Sequence, residues 1–284
     1  MTPFVIHANL DAEARWAGRA LPARVAERVA PFAALLAHLA PAGADVEIWA
    51  PAAVDPARVK FPARMRAGEP RFADLVWAQP GAKPWNDRRF ALALARELGC
   101  ALPGARAIRS PGELDLAGPW VAKAPWTTAG RDRCFGTGTT APPELAQLLA
   151  AHGELVVEPW LPRVRDVAIC GDTGSGLLPP HRLVTSERGT FRGIEFGCDA
   201  PAELVRVAGA VAAKLRAVGY AGPFGVDAFE HAGGFHPLCE INVRLTFGHV
   251  AHALGRRLGA RTLGLGPVAP AGSTVLVEGA AWIT

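Results

Sequence analysis

The stretch CEINVRL, residues 239–245, decides the fold of this chain. Side chains of a β-strand alternate between the two faces of a sheet, so a strand here places its Cys, Ile, Val and Leu on one face. The other face receives Glu240, Asn242 and Arg244. An acid, an amide and a cation on one strand are costly to bury without partners. This polar face is therefore a candidate ligand site.

A hairpin turn upstream brings a second acid to the same face. The segments GVDAFEH (225–231) and FHPLCEINVR (235–244) flank a Gly233-Gly234 pair, which is a good two-residue turn. If these glycines form the turn, counting back along both strands sets Asp227 directly opposite Glu240. Opposed side chains have Cβ atoms about 5 Å apart. Two carboxylates that close repel unless one is protonated or a cation lies between them.

The polar face offers only oxygen ligands. Asp227, Glu240 and Asn242 lack His and Cys partners, and such a set suits a hard ion such as Mg²⁺. Arg244, one step further along the face, would direct a cation at an anion carried by the metal, and the simplest such anion is a nucleotide polyphosphate. The structural alternative is a solvated sheet face with an incidental ion pair between Glu240 and Arg244.

The usual phosphate-binding loops are absent from the sequence. Neither GxxxxGK[ST] nor GxGxxG after a strand occurs. The best candidate is VAKAPWTTAGRDR (121–133), in which Lys123 ends a predicted strand and small residues follow. A fixed ammonium can meet phosphate oxygens, and small residues let backbone N–H groups approach them. The alternative is an ordinary surface lysine beside an ordinary loop.

The order of these parts resembles the ATP-grasp superfamily. A lysine strand with a small-residue loop is followed by VVEPWLPRVRDVAI (156–169) and by the D…ExNxR hairpin. The closest likeness is to carboxylate–amine ligases such as D-alanine–D-alanine ligase, and it runs from about Asn86 to about His252. It implies a mixed α+β or α/β chain with the ATP-grasp fold, in which two lobes enclose a nucleotide cleft. The expected division is a small N-terminal α/β domain (1–84) and an ATP-grasp domain (85–284), with lobes at about 85–158 and 159–284.

The resemblance also implies roles for single residues. The lysine would contact the phosphates and adenine of ATP, the loop 127–131 would close over them, and residues 158–161 would form a hinge that meets the adenine. Asp166 would bind the ribose hydroxyls. The nucleotide-binding residues implied are Lys123, Thr127, Thr128, Gly130, Arg131, Glu158, Trp160, Leu161, Asp166 and Arg88. Two Mg²⁺ ions, with Mn²⁺ as an alternative, would lie on Asp227, Glu240 and Asn242, and Arg244 would meet the transferred phosphate as the catalytic residue.

One position departs from the family pattern. The family often has Asn-Asp-Lys or Met-Asp-Lys where this chain reads Asn86-Asp87-Arg88, and that lysine also touches phosphate. Arginine keeps the charge of lysine but not its geometry. The role of Arg88 at the nucleotide therefore stays open.

The resemblance implies a two-step ligation. A substrate carboxylate attacks ATP to give an acyl phosphate and ADP, and an amine then displaces phosphate. The expected partners are a small-molecule carboxylate and a small-molecule amine, which the sequence does not name. Phosphorylation of a small molecule, a non-catalytic nucleotide-binding module and an unrelated α/β protein are the alternatives.

Composition limits the other classes of function. The 284 residues carry a net charge of +4 with the arginines spread along the chain, which does not indicate nucleic-acid binding. The start has no signal-peptide pattern and no stretch of about 18 uncharged apolar residues occurs, so we expect a cytoplasmic protein without a membrane span. A homodimer is compatible with the sequence. Five dispersed cysteines indicate free thiols. A zinc site formed by His231, His236 and Cys239 is an alternative, although its spacing matches no common zinc pattern.

Periodicity predicts the remaining elements. Helices are expected over 21–40 with a kink or break at Pro31, and over 88–98, 142–153, 201–219 and 247–259, the last closing the fold. The glycine-rich GDTGSG (171–176) lies between two short strands and indicates a hairpin turn rather than a phosphate cradle. His249, His252 and Arg256 share one face of the last helix, where a surface polar face is favoured over a substrate site.

Overall fold

The computed structural model describes residues 2–127, 132–186 and 190–284. Its α-helices are α1 (Ala12–Trp16), α2 (Ala23–Ala33), α3 (Arg88–Glu97), α4 (Pro143–His152), α5 (Ala202–Ala217) and α6 (Phe247–Leu258). Helix α2 continues through Pro31 and then tightens into a 3-10 helix, Ala34–Leu39, so the chain changes helix type three residues beyond the proline instead of breaking at it.

The N-terminal sheet is parallel. Its strands, in the order β3-β2-β1-β4, are β1 (Phe4–His7), β2 (Val46–Ala50), β3 (Arg64–Ala67) and β4 (Leu75–Val76). Alternate residues of β2 are buried, as expected for a strand with one face on a core. This sheet packs into one core with residues of α6 and of the C-terminal strands. The predicted boundary at residue 84 stays a prediction.

A second sheet is antiparallel and carries the lysine strand. Its order is β5-β8-β6-β7, with β5 (Arg106–Ile108), β6 (Pro119–Lys123), β7 (Arg133–Thr137) and β8 (Leu155–Pro159). The fully buried Trp120 ring fills its core, and a Cβ at Gly136 would lie 2.2 Å from that ring. Close packing of the ring therefore requires glycine on the neighbouring strand.

The third sheet is the largest. Its main path runs β14-β13-β9-β11-β12-β15-β17-β16, and β10 pairs with β9. The strands are β9 (Arg163–Asp172), β10 (Gly176–Leu177), β11 (His181–Thr185), β12 (Phe191–Glu195), β13 (Pro223–His231), β14 (Gly234–Asn242), β15 (Thr262–Leu265), β16 (Thr274–Val277) and β17 (Ala281–Ile283). The expectation that α6 closes the fold is wrong, because β15, β16 and β17 follow it and extend this sheet.

Two helices cover the two faces of the third sheet. Helix α5 buries its apolar stripe against Val167 and Ile169 of β9. The neighbouring residue Cys170 points the other way, where Gly248 of α6 lies against it. The GDTGSG turn links β9 to β10, as predicted. Within the described residues, no helix combines the length and apolarity that crossing a bilayer requires.

Candidate functional site

The opposed acids predicted from the hairpin are present. Asp227 of β13 is the register partner of Glu240 on β14. The turn itself differs from the prediction, because His231 pairs with Gly234 and residues 232–233 form the bend. Counting back from that bend without interruption would shift every later pair, so a correction must occur further along the hairpin.

A β-bulge supplies this correction. The register shifts between Asp227 and Phe229, where β14 contributes residues 237–239 opposite the single residue Ala228. Pro237 lies in this irregular segment, and a proline is tolerated there because it has no N–H for the ladder. The bulge also explains Cys239, which was expected on the apolar face. It joins neither the core beneath α5 nor the core shared with the N-terminal sheet, and lines a pocket together with Arg88, Lys123 and Glu158 instead.

Asp227, Asn242 and Arg244 form one hydrogen-bonded chain. The Asn242 side-chain amide donates to Asp227 Oδ2 at 3.2 Å, and Arg244 Nη2 donates to Asn242 Oδ1 at 2.9 Å. The Arg244 Nε group is paired with the buried carboxylate of Glu13 in the N-terminal part of the chain. Its guanidinium lies 5.2 Å from the centre of the Trp77 ring. Arg244 is thus fixed from both sides of the site.

The two opposed acids differ in their electrostatic environment. Burial, together with the neighbouring Glu240 charge, raises the pKa of Asp227 to about 7. Burial also acts against ionisation of Glu240, but Arg88, Lys123 and Arg244 together lower its pKa. Arg88 Nη2 donates to Glu240 Oε1 at 2.8 Å. Three cations therefore compensate Glu240, whereas Arg244 alone opposes burial and the Glu240 charge at Asp227.

The predicted lysine lies in a pocket between the second and third sheets. Lys123, at the end of β6, is paired with Glu158 near the end of β8. Burial opposes the ammonium charge, yet the Glu158 carboxylate raises the pKa of Lys123. The pocket walls come from α3, the following loop and β14. Its polar lining groups are Arg88, Lys123, Glu158, His236 and Cys239.

Asp166 lies on the same side of the third sheet as the acid pair. It is two residues along β9 from Ala168, the register partner of Asp227. Its carboxylate is already engaged, because Arg163 donates to one oxygen and the Thr185 hydroxyl donates to the other at 2.6 Å. A ribose hydroxyl would have to share or displace one of these partners.

The predicted hinge residues after Glu158, Trp160 and Leu161, are both half-buried. Trp160 packs edge-on against Phe135 at 4.9 Å, and its backbone N–H donates to the Pro119 carbonyl at 2.9 Å. Leu161 is half-buried in the short connection to β9. Trp160 therefore holds the connection between β8 and β9 against the second sheet.

The predicted mobile loop is only partly described. Thr127 is buried at the end of the segment after β6. Three further residues predicted to bind the nucleotide, Thr128, Gly130 and Arg131, lie outside the described residues.

Sequence reasoning missed three contributors to the site. Arg163 binds Asp166, lies 3.5 Å from Cys239 Sγ through Nη2, and covers the Phe229 ring at 4.2 Å. Cys239 lines the pocket, and Glu13 fixes Arg244 from more than two hundred residues away. The only local signal for Arg163 was its position in RVRD (163–166), three residues before the acid that was predicted to bind the ribose.

The two histidines of α6 were expected on a surface polar face, and this expectation is wrong. His249 and His252 are both buried, while Arg256 is exposed. His249 caps its own helix, because its Nδ1 accepts from the Thr246 backbone N–H at 3.0 Å. Its Nε2 donates to the Gly171 carbonyl at 3.0 Å. The role of His249 is therefore structural.

The donor set fits a hard divalent cation, and the surrounding cations fit an anion. Asp227, Glu240 and Asn242 present carboxylate and amide oxygens within one cluster, and the Arg244 charge only partly offsets the burial of Asp227. Two nearby guanidinium groups keep a buried Nε without a hydrogen-bond partner among the described residues, those of Arg88 and Arg163. Buried N–H groups of this kind are normally satisfied, so their presence favours an anionic ligand.

Three solved structures share this architecture. The N5-carboxyaminoimidazole ribonucleotide synthetase from Thermus thermophilus aligns over 98% of this chain and 92% of its own, with TM-score 0.59 and 15% identity. An ADP complex of another N5-carboxyaminoimidazole ribonucleotide synthetase aligns over 100% and 93%, with TM-score 0.58 and 13% identity. Phosphoribosylamine–glycine ligase from Thermotoga maritima aligns over 96% and 82%, with TM-score 0.55 and 14% identity.

These likenesses establish the fold. No protein-family model matches the chain, and no curated protein matches it by sequence. The chain has the ATP-grasp fold, with mixed parallel and antiparallel sheets, which confirms the fold class expected from the sequence. At 13–15% identity the shared architecture does not carry the activity over to this chain.

Proposed function

We propose that this protein is an ATP-dependent ligase that joins a small-molecule carboxylate to a small-molecule amine through an acyl phosphate. The observation that carries the proposal is the opposed pair Asp227 and Glu240, with Asn242 beside it and Arg88 and Lys123 facing Glu240. Oxygen ligands ringed by cations suit a metal-bound polyphosphate. Solved ligases that share the fold, one of them an ADP complex, support the same class.

The residues of the site divide the work of binding. Asp227, Glu240 and Asn242 would hold Mg²⁺, with Mn²⁺ as an alternative, and the ion would supply charge neutralisation at the phosphoryl oxygens. Lys123 and Arg88 place fixed positive charge in the pocket where the nucleotide would bind. Glu158 shares that pocket and is already the partner of Lys123, so nucleotide phosphates would compete with it for the ammonium.

Arg244 is suited to act at the transferred phosphate. It is held by Glu13 on one side and by Asn242 on the other, so its guanidinium is oriented before any substrate arrives. In the proposed reaction the carboxylate attacks the γ-phosphorus and ADP leaves. The amine then attacks the acyl carbon and phosphate leaves. Neither step needs a side-chain nucleophile, and both depend on positioning and charge.

An isotope experiment tests the proposal directly. A panel of carboxylates labelled with ¹⁸O is incubated with amines, Mg²⁺ and ATP, and the released phosphate is analysed by mass spectrometry. An acyl phosphate transfers one carboxylate oxygen to phosphate, so labelled phosphate is the expected result. Phosphate that takes its new oxygen from water would contradict the ligase assignment.

Matched variants connect that result to the site. Glu240→Gln removes one negative charge from the proposed metal ligands, whereas Glu230→Gln alters an acid of the same hairpin that pairs with Arg165 instead. We expect labelled phosphate from the Glu230 variant and very little from the Glu240 variant. A stable phosphorylated product formed without amine would assign the site to a small-molecule kinase, and Mg-ATP binding without turnover would assign it to a non-catalytic module.

A homodimer, which the sequence allows, and the expected cytoplasmic location are part of the same proposal. Sedimentation of the purified chain, with and without Mg-ATP, tests the first. Fractionation of the producing cells tests the second.

A further inference from the structure

Three buried side chains meet where α6 crosses β9 and β11. Cys170 of β9, His181 of β11 and His252 of α6 each present one potential ligand atom, and these atoms lie within 4.8 Å of one another. The residues are only 1%, 2% and 8% exposed, respectively. The cluster belongs to the face of the third sheet that α6 covers, and it shares no residue with the oxygen ligands described above.

Two of the ring nitrogens in this cluster have no partner. His181 Nδ1 and His252 Nε2 are buried without a hydrogen bond among the described residues. The Pro179 carbonyl lies close enough to raise the pKa of both rings, yet it is outside hydrogen-bond geometry for these two nitrogens. An unsatisfied buried polar group costs about 1–3 kcal/mol. Two of them on histidines of one buried cluster call for an explanation.

His249 provides an internal comparison. It lies on the same helix at similar burial, and both of its ring nitrogens are engaged, one with Thr246 and one with the Gly171 carbonyl. The fold therefore satisfies a core histidine where that residue only supports structure. His181 and His252 differ from His249 because each keeps one ring nitrogen without a hydrogen bond and each presents a ring nitrogen in the cluster with Cys170 Sγ.

We propose that Cys170, His181 and His252 form a binding site for Zn²⁺. One thiolate and two imidazoles are a soft to borderline ligand set that suits Zn²⁺ and does not suit Mg²⁺. With Zn–S near 2.3 Å and Zn–N near 2.0–2.1 Å, ligand atoms of a tetrahedral site lie about 3.5 Å apart. Side-chain rotations that move each ligand atom by roughly 1 Å would bring these atoms from within 4.8 Å of one another to the spacing of a tetrahedral zinc site.

The two imidazoles are already in the form that binds a metal, whereas the thiol has to lose its proton on binding. Burial lowers the pKa of His181 to about 3 and that of His252 to about 4, so both imidazoles are neutral and keep a lone pair at neutral pH. Burial raises the pKa of the Cys170 thiol to about 12. Binding therefore forms a sulfur–zinc bond as the thiol proton passes to solvent, and the cluster takes up one net positive charge.

Zinc here would link α6 to β9 and β11 on the same face of the third sheet as Asp227, because Cys170 is two residues along β9 from Ala168, the register partner of that acid. Because zinc binding at this cluster involves no ATP or substrate, the zinc proposal can be tested independently of the ligase proposal.

The test uses the full chain produced in cells supplied with zinc or cobalt. Metal content is measured by plasma mass spectrometry, and the cobalt protein is examined for the thiolate-to-cobalt charge-transfer band in the near ultraviolet. We expect equimolar metal, the band, and a lower Tm after chelation. Cys170→Ser should lose the band, whereas Cys134→Ser, which alters another buried thiol, and Cys239→Ser, which alters the thiol in the nucleotide pocket, should retain it.

Each outcome decides the question. Folded wild-type protein without bound metal and without the band would overturn the proposal, and this measurement does not depend on any variant folding. A band that survives Cys170→Ser and disappears in Cys239→Ser would place the metal in the nucleotide pocket and would also overturn it. Oxygen ligands alone cannot give the band, so cobalt at the proposed magnesium site does not imitate a positive result.

Discussion

Replacing Asp227 by Asn should stabilise the metal-free protein while removing its activity. In the free protein, this half-buried carboxylate lies opposite Glu240, and Asn242 is its hydrogen-bond donor. The Asn side chain keeps an oxygen that can accept that bond and carries no charge. The negative charge of Asp227, which metal binding would require, therefore destabilises the folded protein before the metal binds.

The size of the effect follows from the pKa. The folded value of about 7 lies above the ordinary value of 3.8. At about 1.36 kcal/mol per pH unit, this difference is worth about 4 kcal/mol, and residual solvent access reduces the expected gain to about 1–3 kcal/mol. Between pH 4 and 7 the folded state holds a proton that the unfolded state has lost, so wild-type stability falls as the pH rises. The gain in the variant should therefore be small at pH 4 and largest above pH 7.

Urea denaturation at pH 4, 6 and 8 without divalent ions measures this gain. Asp166→Asn is the matched control, because Asp166 is a buried acid on the same sheet that is paired with Arg163, and its replacement should destabilise the protein. Mg-ATP should then raise the Tm of the wild type and leave that of the Asp227 variant unchanged. A loss of stability at pH 8, or a gain that does not vary with pH, would refute the reasoning.

Three other substitutions test the site and its support. Glu240→Gln should reduce turnover at least about 100-fold while the protein stays folded, and a near-wild-type rate of phosphate release would count against the metal site. Lys123→Ala should weaken ATP binding about tenfold or more, and calorimetry showing unchanged affinity would remove it from the site. The same change leaves the Glu158 carboxylate without its ion-pair partner, so about 3 kcal/mol of stability should be lost in urea denaturation. Gly136→Ala should cost about 2–4 kcal/mol, because its Cβ would overlap the Trp120 ring, and an unchanged denaturation midpoint would contradict that packing.

Local patterns in the sequence were sufficient to predict the hairpin that carries the opposed acids of the candidate site. Alternation along CEINVRL and the glycines of the bend predicted that Asp227 faces Glu240, and the structure confirms this pair. The prediction reached the right pair through a bend displaced by one residue, because the bulge at 237–239 restores the register. A bulge depends on how strands pack and twist, so an alternating pattern does not reveal it.

Contacts between distant parts of the chain were decided only by tertiary structure. Arg88 meets Glu240 and Glu13 meets Arg244 across 152 and 231 residues of sequence, respectively. Likewise, His252 was assigned to a polar surface from its helical face, whereas α6 lies against the third sheet and buries it beside Cys170 and His181. Sequence periodicity identifies which residues share a face, but which neighbour covers that face depends on the packing of elements far apart in the chain.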